Sequence, residues 1–182
     1  MSEIVIQAEQ PVDAEAIDDV VRAAFVHQPE VGDMVAEVRR SPQYRPGLAM
    51  VARSRDIVVG FVMLSGCDLV AEDGTRREVL TLTPLAVLPH NQRRGIGAAL
   101  VAAALHEADG RGEPLVVLEG SPRYYGRLGF TPASAHGITL TLPDWAPPEA
   151  AQVYLLSGYD STIRGRVQYP PRDRGCLTLT TR

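Results

Sequence analysis

Two hydrophobic periods alternate along this 182-residue chain, and they predict a mixture of strands and helices. Residues Glu3–Ala8 alternate with period two, which indicates a strand. Pro11 then opens a helix whose apolar positions recur three and four residues apart. That face comprises Ala16, Ile17, Val20, Val21, Ala24 and Phe25. A second helix is predicted over Val31–Arg39, and Tyr44–Gly47 is predicted to be a loop because it contains Pro and Gly.

Two β hairpins are predicted next. Leu48–Arg53 and Ile57–Leu64 are rich in Val, Met and Phe and flank a short polar turn. Asp73-Gly74 separates the second of these strands from Arg77–Leu88, and Asp-Gly is a strong signal for a type I′ turn. Pro84 lies inside this last strand and has no N–H to donate, so it requires an edge, a bulge or a local break.

The middle of the chain predicts a strand, helix and strand in succession. The helix should run from Arg93 to about Ala108, with Gly110 as its stop. Pro114–Leu118 is short and continuously apolar, which is typical of a strand buried on both faces. These three elements predict a right-handed crossover between parallel strands.

The last third of the chain predicts shorter elements. They are a short helix beginning at Pro122, a strand that follows the turn at Gly129-Phe130, and two further strands at Ile138–Leu142 and Gln152–Ser157. After Gly158 the chain is rich in Arg and Pro and has no clear period. We therefore expect one α/β domain over residues 1–157 and a tail over residues 158–182 that packs on or extends the same domain.

Composition narrows the class of protein. A hydrophobic fraction of 45% is ordinary for a globular domain, and the N-terminus carries neither a basic region nor an apolar signal, so we expect a cytoplasmic protein with no membrane association. A net charge of −4 argues against a nucleic-acid partner. Cys67 and Cys176 are far apart and the four histidines do not pair at helical spacing, so neither a disulfide nor a metal is expected.

The most informative stretch is Pro84–Leu100, in which an apolar strand leads directly into a glycine-rich helix start. The first N–H groups of a helix have no intrahelical partner, and the helix dipole adds positive charge there, so this position favours a phosphate or pyrophosphate. Gly95 and Gly97 allow a ligand to approach the backbone. Arg93 and Arg94 supply charge that can form forked contacts with phosphate oxygens.

The glycine spacing excludes two other phosphate loops. A Walker loop needs Lys followed by Ser or Thr, but Ala98-Ala99 stand there and all 18 basic residues of the chain are Arg. A dinucleotide fingerprint needs a third glycine, which is absent. The remaining pattern, Gln-x-x-Gly-x-Gly over Gln92–Gly97 after a Leu-Ala-Val-Leu-Pro strand, resembles the acetyl-CoA pyrophosphate loop of the GNAT superfamily of N-acetyltransferases.

A second motif, Ser121–Phe130, strengthens this resemblance. It is similar to the GNAT signature in which a tyrosine lies four residues before a Gly-Phe pair, and that position falls on Tyr125. Within the superfamily it looks closest to a small bacterial group with Pro-x-Tyr-Tyr-x-Arg-x-Gly-Phe. Both motifs follow in the family's order with a strand between them.

The resemblance implies a fold and an activity. The fold is α/β, an α+β three-layer arrangement with a mixed, mostly antiparallel central sheet that is splayed between its fourth and fifth strands, with helices on both faces. Pro84 is compatible with the bulge that opens this splay. The activity is transfer of an acetyl group from acetyl-CoA, as co-substrate, to a primary amine by direct attack in a ternary complex, with no metal and no acyl-enzyme.

The resemblance also implies roles for residues of the two motifs. The expected cofactor-binding residues are Leu85, Ala86, Val87, Leu88, Gln92, Arg93, Arg94, Gly95, Ile96, Gly97 and Tyr125. Main-chain donors of Gln92–Gly97 would hold the pyrophosphate, while Val87 and Leu88 would pair with the pantetheine arm. The Val87 N–H would also stabilise the oxyanion. Tyr125 would protonate the departing thiolate as general acid, since its usual pKa of about 10 suits that task.

The general base is less clearly indicated. Glu119, at the end of the buried strand, is favoured over Glu78 by position, whereas His90 should lie too near the pyrophosphate. Tyr125 has an alternative interpretation as a packed aromatic side chain, and both glutamates have one as surface or capping groups.

A non-catalytic alternative remains open, in which the same cleft makes the chain an acyl-CoA-binding sensor or regulatory module. The acceptor also stays open between a small molecule, a peptide N-terminus and a protein lysine. Homodimers are common in the superfamily, but no residue pattern here decides the oligomeric state.

Overall fold

The two long strands predicted around the Asp73-Gly74 turn are both present. They are β3 (Ile57–Val70) and β4 (Arg76–Val87) in the structure, a computed structural model that describes residues 3–170. The described chain forms two units, one of residues 3–65 and 82–108 and the other of residues 66–81 and 109–170. Both strands contribute residues to each unit, and within the sheet they are hydrogen-bonded neighbours.

The first unit carries most of the predicted helices. Its other elements are β1 (Ile4–Ala8), α1 (Ala14–Ala24), α2 (Glu30–Arg39), β2 (Tyr44–Ser54) and most of α3 (Ile96–Gly110). β1 pairs antiparallel with β2, and β2 pairs antiparallel with β3. The predicted apolar face of α1 is confirmed, because Ile17, Val20 and Val21 are buried.

A buried carboxylate secures the start of α1. Asp13 accepts a hydrogen bond from the backbone N–H of Gln10 at 2.9 Å, which caps the turn opened by Pro11. The same carboxylate forms an ion pair with Arg53 of β2. Asp13 is 2% exposed, so this pair connects the helix start to the sheet in a place that solvent hardly reaches.

The loop predicted at Tyr44–Gly47 is instead the beginning of β2. Tyr44 pairs with Ser65 of β3, and its hydroxyl donates to Glu9 Oε1 at 2.8 Å. The register shifts between Tyr44 and Ala49, where Pro46 lacks a donor and Gly47 has a φ of +81°. Long-range pairing therefore overrides the local turn signal and leaves a bulge.

The turn after β3 lies where it was predicted but has a different type. The N–H of Gly74 donates to the carbonyl of Ala71 at 3.0 Å, so residues 72 and 73 are the central pair. Type I′ requires a positive φ at both central residues. Among the described non-glycine residues only Arg55 and Arg93 have one, so the turn is not type I′ and Gly74 supplies the left-handed residue after it.

The second unit is built on the predicted buried strand. Its elements are the remaining parts of β3 and β4, then β5 (Leu115–Glu119), α4 (Pro122–Tyr125), β6 (Thr131–Pro132), β7 (Ile138–Thr139), β8 (Ala151–Leu155) and β9 (Gly165–Gln168). β5 pairs parallel with β4 through Leu80↔Val116 and Thr81↔Val117, and antiparallel with β8. The mixed, mostly antiparallel sheet is thus confirmed.

One strand of the second unit was not predicted. β9 lies in the segment after Gly158 that showed no period, and it pairs antiparallel with β3 and parallel with β7. Its partners supply the pairing that the local sequence does not indicate. Residues 171–182 of the expected tail lie outside the described residues. In the described part of the chain, no helix is both long and apolar enough to cross a membrane.

Candidate active site

The end of β4 presents main-chain groups in alternation. The N–H of Leu88 donates to the carbonyl of Val59 in β3 at 2.9 Å. Neighbouring residues of a strand point their N–H groups to opposite sides, so the Val87 N–H points away from β3. Of the two residues expected to pair with a pantetheine arm, Val87 therefore has the available donor, whereas the donor of Leu88 is already used.

The turn after β4 delays the start of the next helix. Arg93 has a φ of +58° and Gly95 a φ of +81°, and neither value is compatible with a right-handed helix. The predicted start of the helix at Arg93 is therefore wrong, and α3 begins at Ile96. The Gln92 side chain donates to the carbonyl of Val87 at 3.0 Å, which joins the turn to the end of β4.

This turn leaves a run of main-chain donors without partners. Within residues 3–170, the backbone N–H groups of residues 93–98 donate no hydrogen bond. The first backbone hydrogen bond of the helix runs from the N–H of Ala99 to the carbonyl of Gly95, at 3.0 Å. Residues 92–95 are exposed, so these groups face water or a ligand. Such a run at a helix N-terminus is an anion-binding site by its chemistry.

The charge and the open space at the turn also suit an anion. The side chains of Arg93 and Arg94 are exposed and form no ion pair within the described residues. A Cβ added to Gly95 would meet nothing within 4 Å. Gly95 is thus required by its positive φ rather than by crowding, and the space beside it is open to a ligand.

A glycine of β3 supports the start of α3, and the sequence analysis missed it. A Cβ on Gly60 would lie 2.9 Å from Leu100 Cδ1 and 3.3 Å from Ile96 Cγ2. Gly60 therefore lets the first turn of α3 pack directly on the strand. An isolated glycine in an apolar strand was the signal that could have revealed it.

Tyr125 occupies an aromatic cluster in the second unit. It ends α4, is 4% exposed, and contacts Tyr124 and Phe130 edge-on with ring centroids 4.9 and 5.6 Å apart. Burial raises the pKa of Tyr125 far above its usual range, and the adjacent Tyr124 raises it further. Its hydroxyl thus keeps its proton at neutral pH, but the raised pKa makes it a weaker acid than the ordinary tyrosine on which the sequence prediction relied.

Gly120 determines where the Tyr125 ring lies. A Cβ at this position would be 2.5 Å from Tyr125 Cε2 and 2.9 Å from Cδ2, so only glycine admits the ring. The Gly120 backbone is held at both ends, by Ala150 at 2.9 Å and by the buried Gln152 side chain at 3.1 Å. Leu118 also lies on the Cβ side of Gly120, so the Glu119 side chain, one residue earlier, points to the opposite face of the strand from the Tyr125 ring.

Glu119 is half-buried at the end of β5, where its backbone pairs with Ala151. Its charge helps to raise the pKa of Tyr169, after burial of that phenol as the main cause. Glu78, the other candidate base, lies on the exposed first part of β4. No group of metal-ligating side chains was found within residues 3–170.

The fold and these sites agree with a known family. Residues 6–133, more than half of the chain, match the family model described as acetyltransferase (GNAT) domain. The fold is accordingly that of an acyltransferase. The chain belongs to the GNAT family of N-acetyltransferases, as the sequence analysis predicted.

Individual relatives extend this match over most of the chain. YjhQ of Escherichia coli K12, described as an uncharacterized N-acetyltransferase, is 29% identical over 172 residues, which is 91% of this chain and 92% of YjhQ. The crystal structure of the GNAT family N-acetyltransferase YhbS from Escherichia coli in complex with CoA is similar with a TM-score of 0.82 and 27% identity, covering 93% of this chain and 91% of that one. A GNAT family acetyltransferase from Brucella melitensis in complex with acetyl-CoA has a TM-score of 0.73 and 25% identity, with coverages of 93% and 97%.

Proposed function

We propose that this acyltransferase uses acetyl-CoA and transfers its acetyl group to a primary amine by direct attack in a ternary complex. The observation that carries the proposal is the run of backbone N–H groups over residues 93–98 that have no partner among the described residues, with residues 93–95 exposed and two of these being arginines. A pyrophosphate has the charge and the acceptor oxygens to satisfy that run. The relatives crystallised with CoA and acetyl-CoA support this choice of ligand.

The cofactor-binding residues follow from the turn geometry. The N–H of Gln92 already donates to the carbonyl of Pro89 at 3.4 Å, so the main-chain donors of residues 93–97 would hold the pyrophosphate, and Arg93 or Arg94 would add charge. The Val87 N–H, which points away from β3, is the donor for the pantetheine arm or for the developing oxyanion. Leu85, Ala86 and Leu88 complete the proposed contacts as side chains at the end of β4.

Acetyl-CoA supplies an activated acetyl group as a thioester. In the proposed reaction the amine nitrogen bonds to the carbonyl carbon, the C–S bond then breaks, and the sulfur leaves with the bonding electron pair. Tyr125 gives its hydroxyl proton to that sulfur, an assignment supported by its position in the family motif, although burial moves its pKa above the usual value that would match a thiolate. The proton lost by the amine goes to Glu119 in our proposal, because Glu119 is a half-buried carboxylate at the end of β5.

The acceptor is proposed at the level of its chemistry only. A primary amine of a small molecule or a peptide fits the family's activity, and the net charge of −4 disfavours a nucleic acid. We retain the proposal of one acetyltransferase domain over residues 1–157, followed by a segment that packs on or extends it. The pairing of β9 with β3 supports that relation for residues 165–168.

A thiol-release assay tests the proposal. The full chain is incubated with acetyl-CoA and a panel of primary amines, and release of the CoA thiol is followed. We expect turnover with at least one amine, and Tyr125→Phe should lower kcat about 100-fold while leaving the Kd for acetyl-CoA unchanged.

The matched control is Tyr154→Phe, because Tyr154 packs on Phe130 in the same aromatic cluster at a centroid distance of 5.3 Å. It should retain wild-type kcat. Tight binding of acetyl-CoA without thiol release for any amine would overturn the enzyme proposal and favour the acyl-CoA sensor. Equal kcat for Tyr125→Phe and wild type would remove the acid role alone.

A further inference from the structure

β1 forms one edge of the sheet, since β2 is its only neighbour among the described strands. Just beyond the end of β1, the backbone N–H of Glu9 donates to the carbonyl of Ala49 in β2 at 2.9 Å. Neighbouring residues of a strand point their main-chain groups to opposite sides, so those of Ile4 and Ile6 point away from β2. The N–H and C=O groups of both isoleucines thus have no partner within the described part of the chain.

The open part of this edge is centred on Val5. Ala8 also points its main-chain groups away from β2, but its carbonyl accepts a hydrogen bond from the Gln10 side chain at 3.5 Å. The stretch of the edge that remains free is therefore Ile4–Ile6.

This edge carries none of the usual protection against another strand. Natural sheet edges are protected by charged side chains, proline or bulges. β1 reads Ile-Val-Ile-Gln-Ala, so it has neither a charge nor a proline, and its register with β2 is continuous over all five residues. Val5 is 48% exposed, and Ile4 and Ile6 are only partly buried. The edge therefore leaves both hydrogen-bonding groups and apolar surface uncovered.

A second uncovered valine lies on the same face as Val5. Val5 stands opposite Arg53 of β2, so the two side chains share a face of the sheet. The Arg53 side chain forms its ion pair with Asp13, and Val12, immediately before that aspartate, is exposed. The apolar surface beside the edge thus extends beyond β1 itself.

We propose that β1 pairs antiparallel with β1 of a second copy of this chain, about a two-fold axis at Val5. In this register Ile4 lies opposite Ile6 of the second copy, and each such pair exchanges two main-chain hydrogen bonds. Val5 meets Val5 of the second copy on the face that also carries Val12. A register centred on Ile6 would instead need the Ala8 carbonyl, which Gln10 already occupies.

The occupant is a second copy because this edge is complementary to itself. Its free groups, its apolar side chains and its length match under a two-fold rotation, as an isologous interface requires. β1 has no charge, so two chains that each carry a net charge of −4 can meet there without repulsion between the paired strands. At the end of the pairing Glu3 lies opposite Gln7 of the second copy rather than opposite another carboxylate.

Sedimentation velocity of the full chain over a range of concentrations tests the proposal. We expect a dimer whose fraction rises with concentration. Val5→Lys would place two ammonium groups opposite each other across the axis, so it should raise the Kd of the dimer about 100-fold. The fold of the single chain should not change, because the Val5 side chain is already half exposed.

Ile57→Lys is the matched control. Ile57 is 66% exposed at the start of β3, so this substitution adds the same charge to the same sheet away from the β1 edge. It should leave the Kd of the dimer unchanged.

A pair of cysteine variants tests the register. Directly opposite residues that exchange no hydrogen bonds have a Cα–Cα separation of about 4.5 Å, which a disulfide can span. Val5→Cys should therefore form a disulfide-linked dimer on mild oxidation, as seen on a non-reducing gel. Gln7→Cys should not, because the two substituted residues would lie about 14 Å apart along the paired strands. The wild-type chain beside them reports any linkage through Cys67 or Cys176.

Several results would overturn the inference. A wild-type chain that stays monomeric at every concentration would do so, as would an unchanged Kd for Val5→Lys. Equal weakening by Val5→Lys and Ile57→Lys would show a general effect of charge, and equal linkage of the two cysteine variants would contradict the axis at Val5. None of these results bears on acetyl transfer, which thiol release measures separately.

Discussion

The contact between Gly120 and the Tyr125 ring leads to a quantitative prediction for Gly120→Ala. The new Cβ would lie 2.5 Å from Tyr125 Cε2, whereas non-bonded carbon atoms ordinarily stay at least about 3.5 Å apart. One of the two groups must therefore move by about 1 Å. The Gly120 backbone cannot easily yield, because its N–H and C=O are both hydrogen-bonded, so the ring should move.

The displacement should affect both stability and turnover. Overpacking of a well-packed site costs about 1–3 kcal/mol. For a chain of this size, 2 kcal/mol lowers Tm by about 4–8 °C. If Tyr125 is the acid, a shift of about 1 Å in its position should also lower kcat about 100-fold. Thermal unfolding measures the first effect, and the thiol-release assay measures the second.

Gly126→Ala is the matched control for this substitution. Gly126 follows Tyr125 directly, has a φ of −59°, and a Cβ there would meet nothing within 4 Å. It should be neutral or stabilise the chain by about 0.4–1 kcal/mol. A Tm for Gly120→Ala equal to that of wild type would refute the reasoning.

The cause of the destabilisation can be isolated with a double variant. In a Tyr125→Ala background the ring is absent, so Gly120→Ala should add less than about 0.5 kcal/mol of further destabilisation. An undiminished cost in that background would show that the clash with the Tyr125 ring is not responsible.

Three further substitutions or reagents test other parts of the structure. Gly95→Ala places a Cβ on a residue with a φ of +81°, so thermal unfolding should show a free energy of unfolding about 1–2 kcal/mol lower. An unchanged free energy of unfolding would show that the turn relaxes. Asp13→Ala leaves Arg53 without its buried partner and removes a cap, so the free energy of unfolding in urea should fall by about 3 kcal/mol. A fall below about 1 kcal/mol would contradict this reasoning. Burial raises the pKa of Cys67 to about 12, so its thiol should resist iodoacetamide at pH 8 in the native chain and react after unfolding. Mass spectrometry of the peptide that contains Cys67 measures the labelling, and equal labelling in both states would contradict the burial of this residue.

The elements with strong local patterns were predicted correctly. The apolar face of α1, the long strands on either side of the Asp73-Gly74 turn and the buried strand β5 all follow from spacing that neighbouring residues carry. The start of α3 was misplaced by three residues, because the sequence does not show that Arg93 adopts a left-handed φ. Only the path between β4 and the helix requires that conformation.

Elements that depend on distant partners were not predicted. Tyr44–Gly47 carries turn residues, yet it pairs with β3 because Ser65 and Glu9 supply partners for Tyr44. β9 has no hydrophobic period, but β3 and β7 supply its hydrogen bonds. In both cases long-range pairing outweighs weak local preferences.

The sequence by itself indicated the family, and it supplied the proposals that residues 92–97 bind a phosphate and that Tyr125 is the acid. These properties depend on residues that are close together along the chain, so their spacing records them. Tertiary structure alone decided that the Leu88 N–H is used by β3 while that of Val87 points away from it, and that Gly120 leaves room for the Tyr125 ring. The physical reason is that hydrogen bonds and close packing join residues far apart in the chain, and only the paired strands bring those residues within contact distance.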